Sequence, residues 1–236
     1  MLFRSIAFRY RPDLPPILQD VSLHIRGGQF AAIVGATGSG KSTLLRLLLG
    51  FETPEAGSIF YDGHDLAGLD LQGVRRQIGT VLQQGRVMGG TILANIVGSA
   101  PLTVDDAWEA ARMAGLEDDI RNMPMGMYTL VQDEGLGLSG GQRQRLQIAR
   151  SIVHRPRLIL FDEATSALDN QTQAVVMESL SQLKATRLVI AHRLSTIRNA
   201  DCIFVLNRGV IEQSGTYEEL IARKGFFEEL AQRQLA

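Results

Sequence analysis

The eight residues Gly35-Ala36-Thr37-Gly38-Ser39-Gly40-Lys41-Ser42 follow the pattern G-x-x-x-x-G-K-[ST], and no other stretch constrains the fold as much. Before them, Gln29 to Val34 is a short apolar run that ends abruptly at Gly35, as a buried strand of a parallel sheet does. After them, Leu44, Leu45, Leu47, Leu48 and Leu49 form a broad apolar helical face that Gly50 stops. A glycine-rich loop in that setting lets several backbone N–H groups converge on phosphate oxygens at the positive end of a helix. Lys41 can neutralise β- and γ-phosphates, and the Ser42 hydroxyl can ligate Mg²⁺. Gly35, Thr37, Gly38, Ser39, Gly40 and Thr43 complete the phosphate-facing set. Composition adds weight here: of 24 basic residues only Lys41, Lys184 and Lys224 are lysine, so a lysine in this loop stands out against an arginine background.

A second motif supplies acid. Leu158-Ile159-Leu160-Phe161-Asp162-Glu163 is an apolar strand with two carboxylates at its C-terminal end. Asp162 suits Mg²⁺ and Glu163 suits a general base that polarises the attacking water. Adjacent acids at a strand end also fit plain solvated surface. With the phosphate loop upstream, the pair indicates a P-loop NTPase whose class is still open.

The remaining sequence bounds the alternatives. Lys plus Arg is 24 and Asp plus Glu is 25, for a net charge of −1, which argues against a nucleic-acid binder acting through whole-surface basicity. The single Cys202 excludes an internal disulfide and a four-cysteine zinc site. No apolar stretch approaches the ~18 residues needed to cross a bilayer, so the isolated domain is expected to be soluble. Leu2–Tyr10, Ile17–Ile25 and Gly57–Gly63 read as strands, as do Arg157–Phe161 and Arg187–Ile190. Val104–Ala111 and Gln142–Val153 read as helices, within a helical segment from about 84 to 154. Ile203–Leu206 and Val210–Gln213 make a hairpin around Asn207-Arg208-Gly209, and Thr216 with Glu219 is a capping box.

Leu138-Ser139-Gly140-Gly141-Gln142 opens the second of those helices. Alone, Ser-Gly-Gly also fits an ordinary helix-start loop. Together with the phosphate loop and Asp162-Glu163 it resembles the signature of ATP-binding-cassette (ABC) proteins. Other motifs match in order: Gln83 resembles the glutamine loop, Ser166-Ala167-Leu168-Asp169 the D-loop, and His192 in Ile190-Ala191-His192-Arg193-Leu194-Ser195 the switch histidine. Tyr10 lies 25 residues before Gly35, where this family carries an aromatic that stacks on adenine, although Tyr10 alone also fits strand packing. The resemblance covers essentially the whole chain. It implies an α/β fold: a RecA-like P-loop core with an N-terminal antiparallel β part and an inserted α-helical lobe. Residues 1–83 and 155–236 would form the core, and 84–154 the signature lobe.

The resemblance also implies how the parts would work. Glu163, His192 and Gln83 would be catalytic, and Ser42, Gln83 and Asp162 would hold Mg²⁺. Two cassettes would pack head to tail, so that Ser139, Gly140, Gly141 and Gln142 close over the partner copy's ATP. Among ABC classes, an importer's separate ATPase subunit and a soluble non-transport ATPase are the alternatives to an exporter domain. Chromosome-type members insert a long coiled coil between phosphate loop and signature, absent from the roughly 100 residues here. Gly90-Thr91-Ile92-Leu93-Ala94-Asn95-Ile96, Asp162 to Asp169 and Ala191 to Ile197 are similar to exporter wording. Gly50 to Glu55, Tyr61-Asp62-Gly63 and Val74 to Gln77 resemble bacterial peptide and bacteriocin secretion exporters. Thr129-Leu130-Val131-Gln132-Asp133-Glu134-Gly135 departs from the exporter pattern, with Asp133 where a second glutamate is usual. An exporter reading implies a membrane domain fused upstream, no nucleic-acid partner, and a place on the cytoplasmic face of the inner membrane.

Overall fold

The structure is a computed structural model that describes residues 1–83, 85–162, 167–191 and 193–235. The chain divides into two compact units, Met1–Arg75 with Thr186–Ala236, and Arg76–Ala185.

The first unit holds an antiparallel sheet in the order Leu18–His24, Leu2–Phe8, Ala56–Tyr61, His64–Asp65. Its inward positions, Phe3, Ile6, Phe8, Leu18, Val21 and Leu23, are buried, which accounts for the alternation in the sequence. The same unit holds Phe30–Val34 between two parallel neighbours, Thr186–Ile190 and Cys202–Asn207. Val210–Gly215 pairs antiparallel with Cys202–Asn207 as the expected hairpin. All five residues of Phe30–Val34 are buried, because a parallel strand is covered on both faces. Helix Lys41–Leu48 packs Leu44, Leu45, Leu47 and Leu48 inward at 0–1% exposure. Each such side chain contributes about 1.5–3 kcal/mol of burial. Arg75 donates to Leu49 O at 2.8 Å and Gly50 O at 3.0 Å, satisfying carbonyls at that helix's C-terminal end. The Thr216–Glu219 capping box forms and opens helix Tyr217–Ala222, which ends just before Gly225, and a further helix, Phe226–Leu235, follows that the sequence reading did not identify.

In the second unit Ile78–Val81 pairs in parallel with Leu158–Asp162. Helices Ile92–Val97, Val104–Met113, Glu117–Arg121, Gly140–Ile152 and Asn170–Gln182 surround them. A two-stranded ladder, Gly90–Thr91 with Leu130–Val131, lies within the segment read from sequence as a helical lobe. The two units divide the chain at 76 and 186. Strand Ile78–Val81 belongs with the helices because Gly79 lies directly under Ser151 O of helix Gly140–Ile152, too close for any side chain. The acidic strand accompanies its pairing partner. The expected α/β class, with an antiparallel β part and an α-rich segment between core strands, is what the elements form.

Candidate functional site

In the first unit the phosphate loop is a cradle formed by close backbone approach. Gly40 sits at φ 107°, and a Cβ there would meet Leu18 Cδ2 at 2.7 Å and Ile17 O at 3.3 Å. It precedes helix Lys41–Leu48 without supplying a side-chain cap, so the first-turn N–H groups have no such competitor for an anion. Ala36, Thr37 and Gly38 form an exposed crest, while Ser39 and Lys41 are buried. Lys41 Nζ donates to Gly35 O and Ala36 O, both at 2.9 Å, which folds the ammonium into the loop's own concavity. The Ser39 Oγ is buried with no hydrogen-bond partner among the described residues. A buried cation, an unpartnered hydroxyl and an uncapped helix start are the complement of an anionic group that the loop has room to wrap. Ser42 is exposed at the helix's first turn.

Tyr10 joins this cradle. Its hydroxyl lies 3.2 Å from Thr43 Oγ1, and its ring meets Phe8 edge-on at 4.9 Å. The ring is still 47% exposed, so a face remains for stacking. The hairpin turn Asn207-Arg208-Gly209 is a part that motif reading missed. Gly209 N donates to Ser39 O at 3.2 Å, and Gln19 N donates to Gly209 O at 2.8 Å. At φ +83°, Gly209 lies so close to Ile17 O that no side chain fits. The turn was visible in the sequence; its contact with the loop, across some 170 residues, was not.

In the second unit the register Val81↔Phe161 brings Gln83 and Asp162 out at the carboxyl ends of two paired strands. Asp162 is 7% exposed and Gln83 is exposed. Glu163, His192 and the D-loop Ser166 lie outside the described residues. Gln147 Nε2 donates to Gly85 O at 2.6 Å, and Arg150 NH1 to Arg86 O at 3.0 Å, so helix Gly140–Ile152 holds the segment that follows Gln83. Arg150 also donates to Asn95 O at 2.6 Å and to the Asn95 side chain. Burial lowers the Arg150 guanidinium pKa from its ordinary value. In the segment that departs from the exporter pattern, the Asp133 carboxylate accepts Gly89 N–H at 2.7 Å, and Glu134, at φ 63°, donates its N–H to Val87 O.

Ser139 caps helix Gly140–Ile152: its Oγ accepts Gln142 N–H at 3.1 Å, and Gln142 Oε1 accepts Ser139 N–H at 2.9 Å. Gly140 and Gly141 lie against Ala167 and Leu168, and Gln144 Oε1 accepts Ala167 N–H at 2.9 Å. Gln142, expected to touch nucleotide, has its side-chain amide engaged at both ends, on Ser139 and on Asp119. Asp119 carries no sequence signal of its own among the neighbouring acids Glu117 and Asp118.

The ABC transporter family model matches residues 18–166. The alpha-hemolysin translocation ATP-binding protein HlyB of Escherichia coli O157:H7 is 47% identical over 225 residues, covering 94% of this chain and 32% of its own length. The leukotoxin translocation ATP-binding protein LktB of Mannheimia haemolytica is 46% identical over 237 aligned positions, covering 99% of this chain and 34% of its own length. The chain thus spans about a third of the length of these curated relatives. Among solved structures, a bacterial Atm1-family ABC exporter with ATP bound superposes with a TM-score of 0.96 at 38% identity, over 100% of this chain and 41% of that one. With these matches along nearly its whole length, the chain belongs to the ABC transporter family.

Proposed function

We propose that this chain is the ATP-binding and ATP-hydrolysing domain of a bacterial exporter, acting as a head-to-tail pair beneath a membrane domain fused upstream. The observation that carries the reading is the phosphate cradle: buried Lys41 folded on the loop, unpartnered Ser39 Oγ, and Tyr10 held at Thr43 beside the helix start. Lys41 and the loop amides hold the β- and γ-phosphates, and Tyr10 stacks on adenine. Ser42, Asp162 and Gln83 are the residues that would hold Mg²⁺, which would neutralise phosphate charge. Glu163 takes the proton of the attacking water, and His192 contacts the γ-phosphate. Ser139 O–H and the Gly140 and Gly141 amides meet the γ-phosphate of the partner copy's ATP at a helix N-terminus. The names of the relatives, translocation ATP-binding proteins for a hemolysin and a leukotoxin, support a peptide or other hydrophobic cargo; a place at the cytoplasmic face of the inner membrane goes with the exporter reading itself.

The test is light scattering with Mg·ATP on Glu163→Gln, which keeps shape and removes the base. Hydrolysis should fall by ~10²–10⁴ and an ATP-bound dimer should accumulate. Adding Ser139→Arg should abolish the dimer and spare ATP binding, while Lys41→Ala should lose ATP binding itself. A Glu163→Gln that stays monomeric at tens of micromolar, or a Lys41→Ala that binds ATP normally, contradicts the proposal.

A further inference from the structure

The signature turn rests on a side-chain relay that begins in a different helix. Asp119, on helix Glu117–Arg121, accepts Gln142 Nε2–H on Oδ1 at 2.7 Å and pairs through Oδ2 with Arg145 at 2.8 Å. Arg145 also donates to Gly115 O, next to that helix, and to Gly141 O at 3.4 Å. The ion pair is largely shielded, with side chains 16% and 25% exposed, so this carboxylate is held in place on two sides.

We infer that Asp119 is a positioning residue for the trans nucleotide site: through Gln142 it sets the direction in which the Ser139 hydroxyl points. The argument is one of donors and acceptors. A side-chain amide can present either its oxygen or its NH₂ to a given neighbour, and the neighbours decide. The Asp119 carboxylate only accepts, so it takes the Gln142 NH₂. Gln142 Oε1 must then face Ser139, whose backbone N–H only donates. With the box closed, Ser139 Oγ accepts from Gln142 N–H, and its own O–H is left to donate away from the helix. Without Asp119 the amide can turn over, the NH₂ meets the Ser139 N–H donor to donor, and the box opens. The hydroxyl then loses its fixed direction. Gln142 on this account shapes the signature and does not contact nucleotide through its side chain.

The inference rests on the head-to-tail reading above, and the test separates the two. In the Glu163→Gln background, three variants are compared: Asp119→Ala, Gln142→Glu, and Gln142→Glu combined with Asp119→Asn. Each is measured for ATP-dependent dimer dissociation constant, for ATP binding by the monomer, and for thermal midpoint. Asp119→Ala lets the amide turn over, and Gln142→Glu sets two carboxylates against each other. Each should weaken the dimer by about tenfold or more, the loss expected for one charge-assisted hydrogen bond. The combined variant exchanges carboxylate and amide. The new acid at 142 accepts from Ser139 N–H and from the new NH₂ at 119, whose oxygen faces Arg145. Dimerisation should return to within about threefold of the parent. ATP binding by the monomer should stay unchanged throughout, which a general structural role would not predict. Asp119→Ala dimerising like the parent overturns the inference, as does a folded combined variant with no recovery. If the Glu163→Gln parent itself stays monomeric, the head-to-tail reading fails first and the inference with it.

Discussion

Asn95 is 2% exposed and its side chain is committed to four partners. Oδ1 accepts Met88 N–H at 3.0 Å and an Arg150 guanidinium hydrogen, while Nδ2 donates to Met88 O at 2.8 Å and Thr91 O at 3.1 Å. Asn95→Leu keeps the branched four-atom outline and removes all four. Three neutral bonds at about 1 kcal/mol and one charged bond at about 1.5–3 kcal/mol sum to about 4.5–6 kcal/mol. That sum is an upper bound. Met88 is 57% exposed, so water can reach its backbone, and Arg150 keeps Asn95 O and Arg86 O. The expected loss is therefore about 2–4 kcal/mol. Urea unfolding followed by circular dichroism, with Asn95→Ala as the cavity-forming comparison, measures it. A cycle with Arg150→Met should show coupling of about 1–2 kcal/mol, because of the two hydrogen bonds joining these residues one is between side chains and is removed by either substitution. An Asn95→Leu protein within about 0.5 kcal/mol of the parent would refute the claim that this polar network, and not apolar packing, holds the stretch after Gln83.

Gly209→Ala forces a side chain into left-handed backbone against Ile17 O and should weaken ATP binding about tenfold or more by displacing the turn that bonds Ser39 O; a fluorescent-nucleotide titration indistinguishable from the parent's would remove the turn from the site. Tyr10→Ala should cost about 1–3 kcal/mol of ATP affinity and Tyr10→Trp little; if both variants titrate like the parent, the ring only packs on Phe8. The Asp106 carboxyl lies below its ordinary 3.8 because the Thr103 hydroxyl and backbone N–H bond its charged form. Its folded pKa is the lower one, so the unfolded chain takes up the proton first as pH falls. The stability it contributes is complete above about pH 5 and is lost as pH drops through the folded value. The difference in unfolding free energy between parent and Asp106→Asn should therefore be constant at neutral pH and shrink on acidification; a difference that grows in acid would reverse the sign.

Much of the fold was legible because local chemistry and element type coincide. Gly35 to Ser42 announces its strand and helix, since the motif works only between them, and Phe30–Val34 and residues 158–161 are apolar throughout because both faces are covered. The capping box at Thr216 needs only residues three apart, so it forms where the pattern places it. The short strands Ile78–Val81 and Leu130–Val131 were not legible, for two to four residues carry too little periodicity to be read. Nor were Gly209 on Ser39 O, Asp119 on Gln142, or Arg150 on Asn95. Each joins residues far apart in the chain through one or two hydrogen bonds. Such a bond depends on donor direction and distance, which residue type does not encode and only the folded backbone supplies.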